Sequence, residues 1–396
     1  MLRIGVEQRR ARLMRRHALH PSTQRSSVAE VCTAVVALHA TDPASVYLSA
    51  LARSPVTLAD VSAAMYESRS VVKMLGMRRT MFVVPTEFAQ VVHAGAGLEV
   101  ARRLRSRLVK ELRERPTEPV IDGDPAVWLA AVEQGAEQFL IEHGEALAND
   151  IAKAEPRLRT ALVPTTDKKW DVKQNVTSRV LTLMGADGRL VRGQPAGTWL
   201  SRQHRWAAAR SVWPEGLPAM PEDAARDVLA RRWLEAFGPA TVDDLKWWTG
   251  WSLGATRKVL AGIDTVEVDM DGTPGIVLAD DTDPEPEVEP AAALLPALDA
   301  TPMGWQQRDW FLGPHQAELF DRNGNIGPTV WWEGRIVGGW AVREGDVVWE
   351  LLEDVGADAR AAVERAAADL QPRLEGASPI PSFRTPLERR LNDHVQ

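Results

Sequence analysis

Between Pro221 and Leu278 the apolar periodicity changes from that of a helix to that of a strand, and this change limits the fold more than any other feature. Pro221 opens a helix with Glu222 and Asp223 in its first turn. Val228, Leu229, Trp233, Leu234 and Phe237 recur at helical spacing until Gly238-Pro239 breaks the pattern. Thr241 is placed to cap a second helix through Leu245 and Trp248, which Gly250 ends, and Ser252 opens a third with Leu253, Val259 and Leu260. After Gly262, Val266 and Val268 alternate with charged residues, Asp271-Gly272 supplies a turn, and Ile276 and Leu278 return the strand. Three short helices followed by a β-hairpin is the order of a winged helix-turn-helix.

The same order recurs twice. Between Pro125 and Trp206 a helix through Val132, Phe139 and Leu140 precedes one from about Glu145 to Ala154. A third, Val176 to Met184, leads into Leu190-Val191 and Gly193. The long loop Pro156 to Val172 carries Lys168, Lys169 and Trp170, a composition able to meet a partner. In the N-terminal copy, helices over Val28–Leu38, Pro43–Leu51 and Leu58–Met65 are followed by strand-like Val71–Met74 and Met81–Val84. Arg78 and Arg79 then stand at the tip of a wing, where such hairpins follow the DNA backbone or enter the minor groove.

The acidic, proline-rich segment Asp280–Pro290 reads as extended or disordered, and it separates the third module from a region rich in Trp and Gly. There NGNIGPTVWWEGRIVGGWAV reads as strands joined at Glu333-Gly334, closed by a helix from Ala357 to Leu370. GRIVGGW lacks the spacing and the strand-to-helix setting of a dinucleotide loop, so no nucleotide cofactor is expected. The fold class is α+β: tandem winged helix-turn-helix modules over residues 1–120, 121–215 and 216–280, with a C-terminal β-rich unit over 281–396 that begins with the acidic linker. At 396 residues, several modules are the expectation, because single cores stop growing at roughly 250–300 residues.

Cys32 is the only cysteine, which excludes an internal disulfide or a cysteine-based zinc site. His17 and His20 lack a nearby third ligand, so no metal is expected. No apolar run has the length of a signal-peptide core or a membrane span, and the expected compartment is the cytoplasm. The net charge of −7 conceals an asymmetry: residues 1–120 carry 19 Lys+Arg against 10 Asp+Glu, or +9, leaving −16 on the remainder. A basic N-terminal third suits phosphate contact, with clusters at Arg9–Arg16 and Arg102–Lys110; the alternative is a solvated helix face.

Leu38 to Pro43, LHATDP, closes the apolar run Val28, Val31, Val35, Val36 and sets an imidazole, a hydroxyl and a carboxylate within four residues at an expected junction between two helices. His39 could accept a proton from a water or orient it, since imidazole titrates near working pH, and the Thr41 hydroxyl could hold the same water. The bland alternatives are a histidine closing a helix C-terminus and Thr41 or Asp42 capping the helix that starts at Pro43.

LHATDPASVYLSALAR, MLGMRRTMFVVP, RQHRWA at Arg202–Ala207, LLPALDATPMGWQQRDW and FDRNGNIGPTVWWEGRIVGGW, in this order, resemble the AlkZ/YcaQ-like family of bacterial winged-helix proteins. The resemblance implies tandem winged-helix modules around a concave surface for double-stranded DNA. It also implies glycosylase activity on bulky or crosslinked alkylated purines, in base-excision repair or genotoxin resistance. The family motif of Gln, an apolar residue, then Gln or Asp falls on His39, Ala40 and Thr41, a departure at both polar positions. His39 and Thr41 become the catalytic candidates, Asp42 their support, and Arg78, Arg79, Arg202 and Arg205 the DNA-binding candidates. The competing expectations are a catalytically inactive DNA-binding protein, acting as damage sensor or transcription regulator, and an interaction scaffold that touches no DNA.

Overall fold

A computed structural model describes residues 2–169, 171–286 and 288–393; Trp170, singled out in the Pro156–Val172 loop, lies outside the described residues. The chain is α+β and divides into two compact units: one of residues up to Val71 with Thr80–Thr86 and the chain from Arg226 onward, the other of Val72–Arg79 with Glu87–Ala225.

In the first unit, Val242–Thr249 is capped by a reciprocal box between Thr241 and Asp244 and stopped by Gly250 in the left-handed conformation. Leu253–Leu260 starts at Ser252, whose side chain accepts from Ala255 N. The strands Thr265–Met270 and Thr273–Leu278 pair antiparallel through Asp271-Gly272, both at positive φ, the twist a two-residue hairpin requires. A third strand absent from the sequence reading joins them, Leu2–Arg3, parallel to Thr265–Met270. Arg3 and the Val6 amide hold the Asp271 carboxylate, at 2.8 and 2.7 Å, so the tip of this hairpin is acidic and tied to the N-terminal segment.

The C-terminal region forms a four-stranded antiparallel sheet in sequence order, Ala292–Leu295, Thr329–Trp332, Arg335–Arg343 and Asp346–Leu351, beside the helix Gly356–Arg373. Trp331 and Trp340 are buried and their indole nitrogens donate to Thr329 Oγ1 and Leu295 O at 2.8 Å, so these large rings leave no polar atom stranded. Trp233, Phe237, Trp248 and Trp305 build the aromatic core of the unit.

The acidic segment is fixed by ion pairs. Arg12 meets Asp281 at 2.9 Å, Arg16 meets Asp281 and Glu285 at 2.6 and 2.7 Å, and Arg15 meets Glu285 at 3.3 Å. Three of the five arginines of the helix Val6–Arg16, the N-terminal cluster expected to suit phosphate contact, are therefore paired with the acidic segment of the same chain.

In the second unit the helices Leu98–Glu114, Pro125–His143, Ala148–Ala154 and Thr177–Ala186 enclose one core, with Leu108, Val132, Leu140, Ile151, Val180, Leu181, Met184 and Trp206 within it. The strands Leu190–Pro195 and His204–Ala208 form the expected hairpin, with Ala146–Leu147 added along its second strand. The Pro156–Val172 loop is partly ordered by pairing of Ala161–Leu162 with Thr117–Glu118 and Gln174–Asn175. Among the described residues no helix is long and apolar enough to cross a membrane.

Candidate functional site

The helix expected to reach Leu38 ends at Ala34. Val36 takes φ 65°, a left-handed conformation costly for a β-branched residue, and the chain runs on as the strand Leu38–His39, paired with Val83 and Phe82. His39 therefore does not close a helix. Pairing of Leu38–His39 with Met81–Pro85 decides against the helical spacing. Ala40 N continues the ladder by donating to Met81 O at 2.9 Å.

His39 is 4% exposed, and its ring centroid lies 4.6 Å from that of Phe82. Thr41 is exposed, and Asp42 is buried again. Asp42 occupies the N-cap position of Pro43–Leu51 without a side-chain capping bond; its Oδ2 accepts instead from Ser382 N at 3.0 Å. The helix that follows is buried almost all round and is fastened along its length: Ser45 Oγ donates to Ala297 O and Ser49 Oγ to Asp299 Oδ2, both at 2.6 Å. Arg53 then grips Asp299 through its two terminal guanidinium nitrogens, Nη1 and Nη2, at 2.8 and 2.6 Å, with both side chains excluded from solvent. The LHATDP segment is thus held by a strand pair on one side and a bolted helix on the other. The LLPALDAT stretch supplies the bolt, a role that its sequence did not disclose.

His17 completes the bolt. Its Nε2 donates to Ala236 O at 3.0 Å and its Nδ1 accepts from Thr301 Oγ1 at 2.9 Å, the tautomer following from the carbonyl partner. Burial, helped by the nearby Arg53 cation, pushes its pKa down to about 3, so it is neutral.

The basic candidates lie in the second unit. Arg78 and Arg79, at φ 53° and 60°, form the turn after the strand Val71–Leu75; Arg78 is half-buried and Arg79 exposed. Arg202 is exposed in the turn between Leu190–Pro195 and His204–Ala208, and the half-buried Arg205 reaches Pro195 O at 3.5 Å. The structure thus brings His39 and Asp42 into one unit with Thr41 between them, and Arg202 with Arg205 onto one hairpin.

Sequence reasoning missed Arg192. It opposes Trp206 across the hairpin, its guanidinium carbon 3.6 Å from a ring centroid, and burial pushes its pKa down to about 9. His204, 5.4 Å from Trp206, is pushed down to about 3 by burial, then by Arg192 and Lys73. The signal available was the spacing of Arg192 and Trp206 about a turn, which becomes a cross-strand pair only once the register is known. Among the described residues no group of three or more His, Cys, Asp or Glu could hold a metal ion.

The family described as DNA glycosylase AlkZ-like matches residues 33–372, a stretch that includes His39, Thr41 and all four arginine candidates. The chain belongs to this family. The interstrand DNA cross-link repair glycosylase of Streptomyces sahachiroi is 30% identical over 174 residues, 41% of this AlkZ-like chain and 46% of that relative, so the match spans just under half of the relative's length. The solved structure of the DNA glycosylase AlkZ from the same organism shares the fold, with a TM-score of 0.69 at 19% identity over 96% of this chain and 99% of that one.

Proposed function

We propose that this AlkZ-like chain is a monofunctional DNA glycosylase that hydrolyses the N-glycosidic bond of N7-alkylated or bulky-adduct purines in duplex DNA. The family match over residues 33–372 carries the reading. In it, residues 1–120, 121–215 and 216–280 serve as winged-helix modules on the duplex, and Arg78, Arg79, Arg202 and Arg205 contact the phosphate backbone. The order of three helices and a hairpin between Glu222 and Leu278 supports that assignment.

The chemistry asks little of the leaving group. An N7-alkylguanine is already cationic, so when the bond from C1′ to N9 breaks the base takes the electron pair and departs neutral. Water attacks C1′, and its proton passes to the His39 imidazole; the Thr41 hydroxyl holds that water from the solvent side. Asp42 positions the segment through Ser382 rather than touching the substrate. The product is an abasic site, with the strand intact.

The experiment is base release from duplex DNA carrying N7-alkylguanine, scored as strand breaks after alkaline treatment, with His39→Ala alongside. Release by the native chain that vanishes in the variant supports the assignment. One observation favours a second reading, a DNA-binding damage sensor or regulator without this chemistry: His39 is buried and the exposed Thr41 replaces an amide or carboxylate. Salt-sensitive duplex binding with no release from any alkylated substrate would establish that reading instead.

A further inference from the structure

We propose that a cleft of about 450 Å³ in the second unit, lined by Arg79, Arg107, Arg115, Arg179, Gln174 and Ser178, holds backbone phosphates of the duplex. The inference rests on the DNA reading above and adds a contact site to it.

Two helices and a loop make the cleft. Arg107 and Glu111 come from Leu98–Glu114, and Ser178 and Arg179 from the first turn of Thr177–Ala186. Glu111 bridges the helices, accepting from Arg107 Nε at 2.9 Å and Arg179 Nη1 at 2.8 Å. Asp171 folds the loop back on itself: it accepts from Thr165 N and Thr166 N at 2.9 Å and from Arg115 Nη2 at 2.6 Å. Both carboxylates are therefore spent inside the wall, and four guanidiniums face two anions. Arg107 gives Glu111 its Nε, leaving its terminal amino groups for a further acceptor, and Arg79 has no ion pair among the described residues.

The loop that Asp171 closes carries Lys168 and Lys169, both exposed, which extends the positive rim. The surplus is local to this unit: Val72–Arg79 with Glu87–Ala225 holds 22 Lys+Arg against 19 Asp+Glu, whereas the rest of the chain is acidic. Planar guanidiniums with spare donors beside the Ser178 hydroxyl suit phosphodiester oxygens, which accept from several donors at once and carry one charge each. Contacts to phosphate carry no base information, so this one contributes affinity and register rather than sequence choice.

The test compares duplex binding against salt for the native chain, Arg107→Ala/Arg179→Ala and Ser178→Glu. Ser178 is exposed at the second position of its helix, where a carboxylate favours the helix, so Ser178→Glu introduces a negative charge without unfolding the unit. The expected result is about tenfold weaker binding for each variant at low salt, and a salt slope shallower by about 2 for the double variant, one for each lost phosphate contact. Melting temperature of Ser178→Glu stays at the native value. Native affinity and slope in both variants, beside a salt-sensitive native chain, overturn the cleft while leaving the DNA reading standing. A native chain with no salt-sensitive duplex binding overturns both. Millimolar inorganic phosphate that raises the native melting temperature while both variants bind duplex normally assigns the cleft to a free phosphate ester, and also overturns the proposal.

Discussion

Arg53 and Asp299 form a two-point ion pair, at 2.6 and 2.8 Å, from which solvent is wholly excluded. Its remaining valences are met as well: Arg53 donates to His17 O at 2.9 Å and Thr301 Oγ1 at 2.8 Å, and Asp299 accepts from Ser49 Oγ and Thr301 N. A buried pair contributes less than its geometry suggests because both ions lose hydration, but removing one partner strands the other. Asp299→Ala is expected to cost roughly 3–5 kcal/mol in denaturant unfolding, and Arg53→Met/Asp299→Leu to recover most of it. A loss under about 1 kcal/mol for Asp299→Ala would show that the pair does not fasten Pro43–Leu51.

The same bolt gives stability a pH dependence. Folding holds the His17 pKa at about 3, below its value near 6.5 in the unfolded chain, so between these values the unfolded state binds more protons. Its stabilising effect is complete above pH 6.5 and is lost as pH falls toward 3, a change on the order of 5 kcal/mol. Asp299, held below the usual carboxylate range by Arg53 against the opposing effect of burial, adds a further loss as pH falls below about 4. His17→Gln should flatten the curve between pH 6 and pH 4, read as the slope of unfolding free energy against pH. An unchanged slope would mean that His17 is not buried neutral.

If His39 takes the proton of the attacking water, His39→Ala lowers single-turnover base release by about 10²–10⁴-fold with duplex affinity unchanged. Thr41→Val, at an exposed position, removes one hydrogen bond to the same water and should cost about tenfold or less. A Thr41→Val loss equal to that of His39→Ala would move the catalytic role outward to Thr41.

The parts of this fold that were legible in the sequence are those decided locally. Asp271-Gly272 and Glu333-Gly334 were readable as turns because both positions of such hairpins need positive φ, and all four residues have it. Thr241 and Ser252 were readable as caps because their hydroxyls reach amides three residues on. His39 was misplaced for the opposite reason: its strand exists only because Met81–Pro85, some forty residues later, pairs with it. Arg192 and Asp299 escaped notice likewise, since the partners that give them meaning, Trp206 and Arg53, are set by tertiary register and not by neighbours in sequence.

Charge along the chain is not charge at the surface, and the salt dependence of duplex binding can tell them apart. Arg12 and Arg16 belong to the most basic stretch, yet Asp281 and Glu285 neutralise them, and Arg12 is buried. Arg79 is exposed at the turn after Val71–Leu75 and has no ion pair among the described residues. Only a cation that displaces counterions from DNA enters the salt slope, at about 0.9 per phosphate met. Arg12→Gln/Arg16→Gln should therefore lower the melting temperature and leave the slope at its native value, because the lost partners lie within the chain. Arg79→Ala should do the reverse, making the slope shallower by about 1 at an unchanged melting temperature. A shallower slope in the first variant would place the Val6–Arg16 helix on the DNA, with Asp281 and Glu285 as residues that yield to it.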